Sequence, residues 1–433
     1  MDSIWTSDVT LPRYETLKGN IKTDVLIIGG GMAGILCAYE LHRAGIDCVL
    51  VEADRLSLGT TQNTTAKLTS QHGFIYRKLL DTFGPEVARG YLRANEEALS
   101  RYRQLCGQID CDFSPQSNYI YSRSDPASLE AELKALSQLG YPGKLAEDLP
   151  LPFPTVGAVM FEHQGQFHPL KFLRGLLPGL RIYENSPVRE LKNQTAVTDR
   201  GSIHADSIIV ATHFPFLNKH GSYFIKMYQQ RSYVLGLKGI PQLNGMYLDA
   251  AENGLSFRMQ GDTLLLGGGG HRTGCKGGGW RDLEALAAMY YPGCQITHRW
   301  SAQDCMTLDG IPYIGRYSSR TKNLYVATGF NKWGMTNAMV AARILTDLIR
   351  GKGNPYGEIF SPSRSILHPQ LGINLLESTR NLLSFSTPRC PHLGCALKWN
   401  PQERSWDCPC HGSRFDEKGH LLENPATGDL KKP

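Results

Sequence analysis

Two sets of residues in this chain of 433 have types and spacings that could do chemistry. The first is Cys390-Pro-His392, followed after fifteen residues by Cys408-Pro-Cys410-His411. It combines two soft thiolates with two imidazoles as C-x-H…C-x-x-H, a donor set that zinc accepts and that an iron–sulfur centre accepts as well. A metal-free disulfide knot is the third reading of the same cysteines. Two further cysteines, Cys395 and Cys410, stand in matching places, one after the first pair of donors and one inside the second. The other set is Gly29, Gly31 and Gly34, in G-x-G-x-x-G spacing, with Glu52 closing the next apolar run.

The glycines need elements to hold them. Val25–Ile28 has the length and β-branched content of a buried parallel strand. A helical pattern through Ile35, Leu36, Ala38, Tyr39 and Leu41 follows, and Cys48–Val51 is a second apolar strand ending on Glu52. In that setting Gly29 permits the tight turn, Gly31 lets a pyrophosphate approach the backbone, and Gly34 lets helix and strand pack closely. The helix N-terminus offers unpaired N–H groups to phosphate, and Glu52 can accept ribose hydroxyls. The polar loop Leu58–Gly73, dense in Thr, Gln and Asn and including Thr65, leaves the second strand where it could bond phosphate and cofactor.

Beyond these elements the chain reads as strand–helix alternation with an antiparallel middle. Helices are expected over 78–109 with a break at Gly84-Pro85, and over Ser128–Leu139, 281–290 and Gly334–Arg350. Short strands are expected through Ile182–Thr212 and 222–270, and at Asn323–Thr328. The Pro- and Gly-containing stretch 351–371 is the expected linker. Net charge is +6, but the basic residues are dispersed, which argues against nucleic-acid binding. No run of 18 or more apolar residues is present. The first residues lack the pattern of a signal peptide, so a cytoplasmic location is expected. Seven of the eleven cysteines are scattered and four crowd into Cys390–Cys410, which favours a metal site over a disulfide framework.

The boxes CPHLGC and CPCHGS closely resemble those of Rieske proteins. The resemblance implies a [2Fe–2S] cluster with Cys390 and Cys408 on one iron and His392 and His411 on the other. It also implies a disulfide between Cys395 and Cys410 that clamps two facing ligand loops. Ser413 stands where a hydroxyl donor to the cluster is expected. Phe415 replaces the tyrosine of high-potential members, which implies a potential in the middle or lower part of roughly −150 to +300 mV. The region is short, so its supporting sheet is expected to be trimmed or replaced by the rest of the protein.

Residues 5–350 resemble the D-amino-acid-oxidase-like family of FAD oxidoreductases, which includes sarcosine, glycine and polyamine-derivative oxidases. The motifs are the glycine fingerprint with Glu52, Gln166-Phe167-His168-Pro169, the strand NSPVREL with Val188, ADSIIVAT with Ala211, and TLDGIPYIG with Asp309 followed by NLYVATGFNKWGMTN. The resemblance implies that Gly329, Gly334, Met335 and Thr336 lie against the isoalloxazine. Lys332 and Trp333 depart from the family's turn, so the substrate face is expected to differ.

The expected fold is an α/β FAD-binding Rossmann-like domain with an inserted α+β substrate domain, plus a small all-β Rieske domain. The FAD-binding part takes residues 1–85, 151–220 and 305–350. The substrate domain takes 86–150 and 221–304, and the Rieske domain 372–433. Arg231 and Arg258 are candidates to bind a substrate carboxylate. His271, after the Gly267–Gly270 run, and Lys332, near flavin N5, complete the catalytic candidates, and Cys305 reads as a buried free thiol. The combination implies an oxidoreductase with a small organic substrate and an external electron acceptor or donor, possible as a homodimer. An amine or amino-acid dehydrogenase is the favoured expectation. The alternatives are a reductase fed by the cluster and a non-catalytic redox sensor or electron-transfer adaptor.

Overall fold

In the computed structural model, residues 3–217, 220–252, 254–384 and 388–430 are described, and their strands form three sheets. The first sheet has eight strands. Its central order is Tyr313–Arg316, Leu324–Thr328, Gly201–Val210, Gly19–Ile28, Cys48–Val51 and Arg181–Tyr183. All neighbours on this path are parallel except the outer pair 313–316 and 324–328. The strand Gly19–Ile28 starts exposed and becomes buried on both faces over Val25–Ile28, one face under helices and the other under Leu17, Val188 and Ala196. The helices Met32–Arg43 and Gly334–Ile349 pack together on that sheet and share its core.

The second sheet has nine strands, mostly antiparallel, running from Gln295–Thr307 through Met227–Lys238, Thr263–Arg272, Ser256–Gln260 and Met246–Asp249 to Ser114–Ser122, Gly157–Gln166 and Lys67–Leu68. Side chains alternate across it, as a strand's period of two requires. Val234 and Leu265 point into the main core with Trp5 and Ile27. Tyr233, Leu264 and Leu266 point the other way, onto the helix Gly279–Tyr290. One face of this sheet therefore meets the dinucleotide half and the other does not.

Local sequence chemistry accounts for the helix limits. Gly84 takes φ 81° and Pro85 opens the next helix, so the expected helix divides into Ile75–Phe83 and Pro85–Cys106. Asp125 caps Pro126–Leu139 through a 3.1 Å bond from Ser128 N, and left-handed Gly140 ends it. The domain limits differ from the expected ones in three places. Lys67–Leu68 and Gly157–Gln166 belong to the second sheet, and Pro85–Cys106 packs on the dinucleotide side, where Tyr102 Oη donates to Met335 O at 2.7 Å.

The stretch 351–371 is not a free linker. Phe360 is fully buried and stacks on Tyr91 at 5.6 Å, and Arg364 forks onto Asp309 at 2.6 and 2.8 Å. A helix, Pro369–Leu383, begins inside it.

The third sheet consists of Lys398–Asn400, Ser405–Asp407, Arg414–Asp416 and Leu421–Glu423, three residues each and all antiparallel. Such a sheet buries little by itself. It rests on the second sheet instead, through a buried charge network. Arg231 donates from Nε to Glu403 Oε1 at 3.0 Å and from Nη1 to Glu423 Oε1 at 3.1 Å. Arg414 donates to Glu403, Asp407 and Glu423 at 2.8, 2.9 and 3.0 Å. Tyr233 Oη adds a 2.9 Å bond to Glu403. Burial by itself would raise the Glu403 carboxyl; the Arg231 and Arg414 guanidiniums outweigh it and hold it at about 2.

Breaking this network on one side is expected to be costly. Arg231→Leu leaves buried carboxylates short of a cation and should lower stability by about 3 kcal/mol or more, whereas Arg231→Leu with Glu403→Leu should recover much of the loss. Denaturant unfolding and limited proteolysis of the C-terminal region measure both. Because the Glu403 pKa is depressed on folding, its contribution is present above the ordinary carboxylate range near 4.3 and fades as pH falls toward 2. A proteolytic susceptibility of the region that is flat from pH 7 down to 2.5 would contradict this.

Candidate functional site

The glycine fingerprint forms a cradle that no side chain could enter. Gly29 has φ 112°, and a Cβ there would lie 2.5 Å from Ala211 O; a Cβ at Gly34 would run into Gly29 O. Gly31 faces Thr61 Oγ1, which accepts from Met32 N at 3.0 Å. Glu52, at the end of Cys48–Val51, accepts from Gly30 N at 2.6 Å and Asp54 N at 3.0 Å. Burial raises its carboxyl against those backbone bonds. Val188 is buried at the start of Val188–Lys192, and the nearby Ser186 N bonds Glu52 O. The cradle and the acid at its side fit a dinucleotide phosphate and ribose.

Beyond the cradle lies the turn that carries Lys332 (φ 70°), between Gly329 and the helix opened by Gly334. Thr336 fixes that helix start by donating to Thr69 O at 2.8 Å, and His72 stacks on Trp333 at 4.8 Å. Lys332 is exposed to solvent. Desolvation by the surrounding protein lowers its amine, opposed by Asp304 and Glu252. Asp304 is half-buried; burial raises its carboxyl, opposed by Lys332 and His213.

The other catalytic candidates lie elsewhere. Arg231 was expected to hold a substrate carboxylate, but its guanidinium is taken up by Glu403 and Glu423. His271 stacks on Tyr233 at 5.7 Å, on the sheet face away from the dinucleotide half. It lines a surface cavity of about 470 Å³ with Arg123, Asp249, Lys276 and Asp282. Arg258 does face the dinucleotide half, yet it donates to Thr65 O at 2.7 Å, Ala66 O at 3.0 Å and Met259 O at 3.2 Å. It props the polar loop by its backbone rather than waiting for a ligand. Asp309, expected at the cofactor, is paired with Arg364. Cys305 is buried, as expected of a free thiol.

The two cysteine–histidine boxes form matching loops. Gly394 N bonds Cys390 O and Gly412 N bonds Cys408 O, each at 2.9 Å, with Gly394 and Gly412 both left-handed. Cys390 and Cys408 are buried with their thiols paired, and that pairing lowers Cys390 to about 7. The rings of His392 and His411 stand 4.9 Å apart and perpendicular. Burial lowers the two imidazoles to about 4 and 3, so both are neutral donors at pH 7. Neither ring nitrogen of buried His411 makes a hydrogen bond of ordinary geometry. Cys395 and Cys410 form a disulfide across the loops, with Cα atoms 6.7 Å apart. Two thiols, two neutral imidazoles and an unused buried nitrogen fit a Rieske cluster.

The loops are seated on the body by residues that sequence reasoning passed over. Gln229 Nε2 donates to His411 O at 2.9 Å and Gln303 Nε2 to Gly412 O at 2.8 Å. Gln303 O accepts from Thr60 Oγ1 at 3.1 Å, so one residue touches both the cluster loop and the polar cofactor loop. Phe214 packs its ring 6.4 Å from His392 and 6.2 Å from His411. The alternation of Gln295–Thr307 could have put Gln303 and Asp304 on opposite faces; nothing local marks Phe214.

The geometry fits a dinucleotide-binding protein with an iron–sulfur module, and comparison with known proteins makes the dinucleotide FAD. Residues 24–348 match the model of the FAD dependent oxidoreductase family, and residues 373–433 match that of the Rieske [2Fe-2S] domain. The chain belongs to the FAD dependent oxidoreductase family and carries a C-terminal Rieske domain. The Bacillus subtilis (strain 168) protein YhfW, named as a Rieske 2Fe-2S iron-sulfur protein, is 36% identical in an alignment spanning 100% of this chain and 97% of that one. Gamma-glutamylputrescine oxidoreductase of Escherichia coli (strain K12) is 27% identical, over 78% of this chain and 86% of its own. The crystal structure of glycine oxidase from Geobacillus kaustophilus superposes with a TM-score of 0.68 at 19% identity, covering 79% of this chain and 99% of that one. The protein is an oxidoreductase that uses FAD and a [2Fe–2S] cluster.

Two substitutions separate the two centres. Gly34→Ala puts a methyl group into Gly29 O and is expected to lower the flavin content of purified protein at least about tenfold while the iron content stays. Cys408→Ser is expected to do the reverse. Absorbance spectra and iron assay read both.

Proposed function

We propose that the protein dehydrogenates a small amine or amino acid and passes the electrons singly, through its own Rieske centre, to an external acceptor. Flavin supplies two-electron acceptance and the cluster one-electron transfer. In this reading Gly29, Gly31, Gly34 and Glu52 hold the dinucleotide, with the loop through Thr65 beside it. Gly329, Gly334, Met335 and Thr336 form the turn against the isoalloxazine. Cys390 and Cys408 ligate one iron, and His392 and His411 the other.

One observation carries the reading. The segment Ala211–Phe214 runs from the cradle, where Ala211 O faces Gly29, to the two imidazole rings. Three residues span at most about 11 Å, so cradle and cluster site are close neighbours within one chain. Gln303 ties them a second time. In this reading one chain supplies both centres.

The pair Lys332 and Asp304 suits an amine. An ammonium substrate must lose a proton before its C–H electrons can leave, and oxidation to the protonated imine releases two electrons and two protons in all. Asp304, with its raised carboxyl, can accept the first proton, and Lys332, with its lowered amine, can pass protons to water. The name of the gamma-glutamylputrescine relative supports an amine of this class. Among the described residues no helix is long and apolar enough to cross a membrane. The proposed compartment is the cytoplasm, which the seven cysteines outside the cluster boxes, all without a disulfide among the described residues, suit.

An anaerobic titration with candidate amines and amino acids, followed by optical and EPR spectra, tests the proposal. The expected result is flavin bleaching by substrate together with a Rieske EPR signal, and both signals lost in Asp304→Asn at pH 7. Flavin bleached by substrate with the cluster still oxidised in iron-replete protein overturns transfer through the cluster. A cluster that reduces the flavin when an external donor is added, with no amine oxidised, overturns the direction.

A further inference from the structure

The helix Pro369–Leu383 is inside out. Its buried residues are Asn374 and Asn381, seven apart and so on one inward line. Asn374 Oδ1 accepts from Arg272 Nη1 at 3.1 Å, and Asn381 O accepts from Ala396 N at 3.0 Å. The outward line carries Ile373, Leu376 and Leu383, 52, 69 and 71% exposed, beside exposed Leu375 and Leu382. The only charge on that outward half is Arg380. A contiguous apolar face of this kind on a folded protein marks an interaction surface.

We infer that this face docks on an anionic phospholipid surface. The apolar face continues into the first cluster loop. Arg389 Nη1 donates both to Leu382 O, at 3.3 Å, and to Gly394 O, at 2.7 Å, so the helix end and the loop are tied together. Leu393, next to His392 in that loop, is 39% exposed. Arg380, Arg389 and Lys398 are exposed around this end, three cations against Glu377; Glu377, Arg380 and Lys398 all act on the Cys275 thiol. An apolar helix face with a basic rim is the composition that lies in a lipid interface and is drawn to negative headgroups. A second copy of the chain is a poor occupant, because a two-fold contact would bring each basic rim against its own copy. Docked this way, the protein holds its half-buried His392 edge at the membrane surface, where an acceptor within the bilayer could meet it.

The test is co-sedimentation of the full holoprotein with vesicles of phosphatidylcholine alone or mixed equally with phosphatidylglycerol. Binding to the mixed vesicles that weakens with salt is expected. Leu376→Glu with Leu383→Glu should cut it at least about tenfold, since each buried leucine is worth about that factor or more. Met289→Glu, at a 68% exposed apolar residue of another helix, should leave it unchanged. Retained flavin and iron spectra show that the variants fold. Absence of binding to either vesicle overturns the inference. So does a wild-type dimer that the double substitution turns into a monomer, because the face would then be a contact between copies.

Discussion

The buried pairing of Arg231 and Arg414 with Glu403, Glu423 and Asp407 is the constraint on which the rest of the arrangement depends. Four strands of three residues cannot hold two metal-binding loops in register alone. The body substitutes for the missing layer, and it does so with charge rather than with apolar area. Desolvating four of these five groups, with Glu423 at the edge about a third exposed, is expensive, so the network holds only in a geometry where nearly every donor and acceptor is matched. A charged joint of this kind has little tolerance for sliding. It fixes where the loops sit, and Gln229 and Gln303 then lock their backbone carbonyls to the second sheet.

That seat also sets where the cluster loops stand relative to the glycine cradle. The residues between them, Ala211 to Phe214, directly follow the central parallel strand Gly201–Val210. Carboxyl ends of such strands are where α/β proteins place ligands, and the same strand end that faces the cradle also faces the imidazoles.

The sequence made legible what is local. The glycine fingerprint, the acid closing the second strand and the paired cysteine–histidine boxes each lie within a few residues, and their spacing carries their geometry. What was not legible was long-range partnership. Arg231 stands among aromatic residues on a strand, which reads as a carboxylate site; its carboxylates do come, but from 172 and 192 residues away within the same chain. Asp309 lies in a family-like motif, and only the return of the chain at Arg364 shows that it is already paired. His271 follows a glycine run on the correct sheet but on the wrong face, because the register shift between Arg231 and Tyr233 cannot be seen in alternation alone. The helix Pro369–Leu383, which crosses the expected boundary between linker and Rieske domain, is not legible as a helix, since its apolar residues have no core to face and its asparagines do the packing.

The turn at Lys332 shows the same division between local signal and distant partner. Lys332 is visible in the sequence as a departure from a resembling turn, but the turn alone does not show what it faces. Its acidic neighbour, Asp304, comes from the strand Gln295–Thr307. Burial pushes both groups toward neutrality, while each charge partly restores the other's. One strand of the second sheet therefore serves two places: one face of Gln295–Thr307 carries Asp304 beside Lys332, and the other brings Gln303 to the cluster loop.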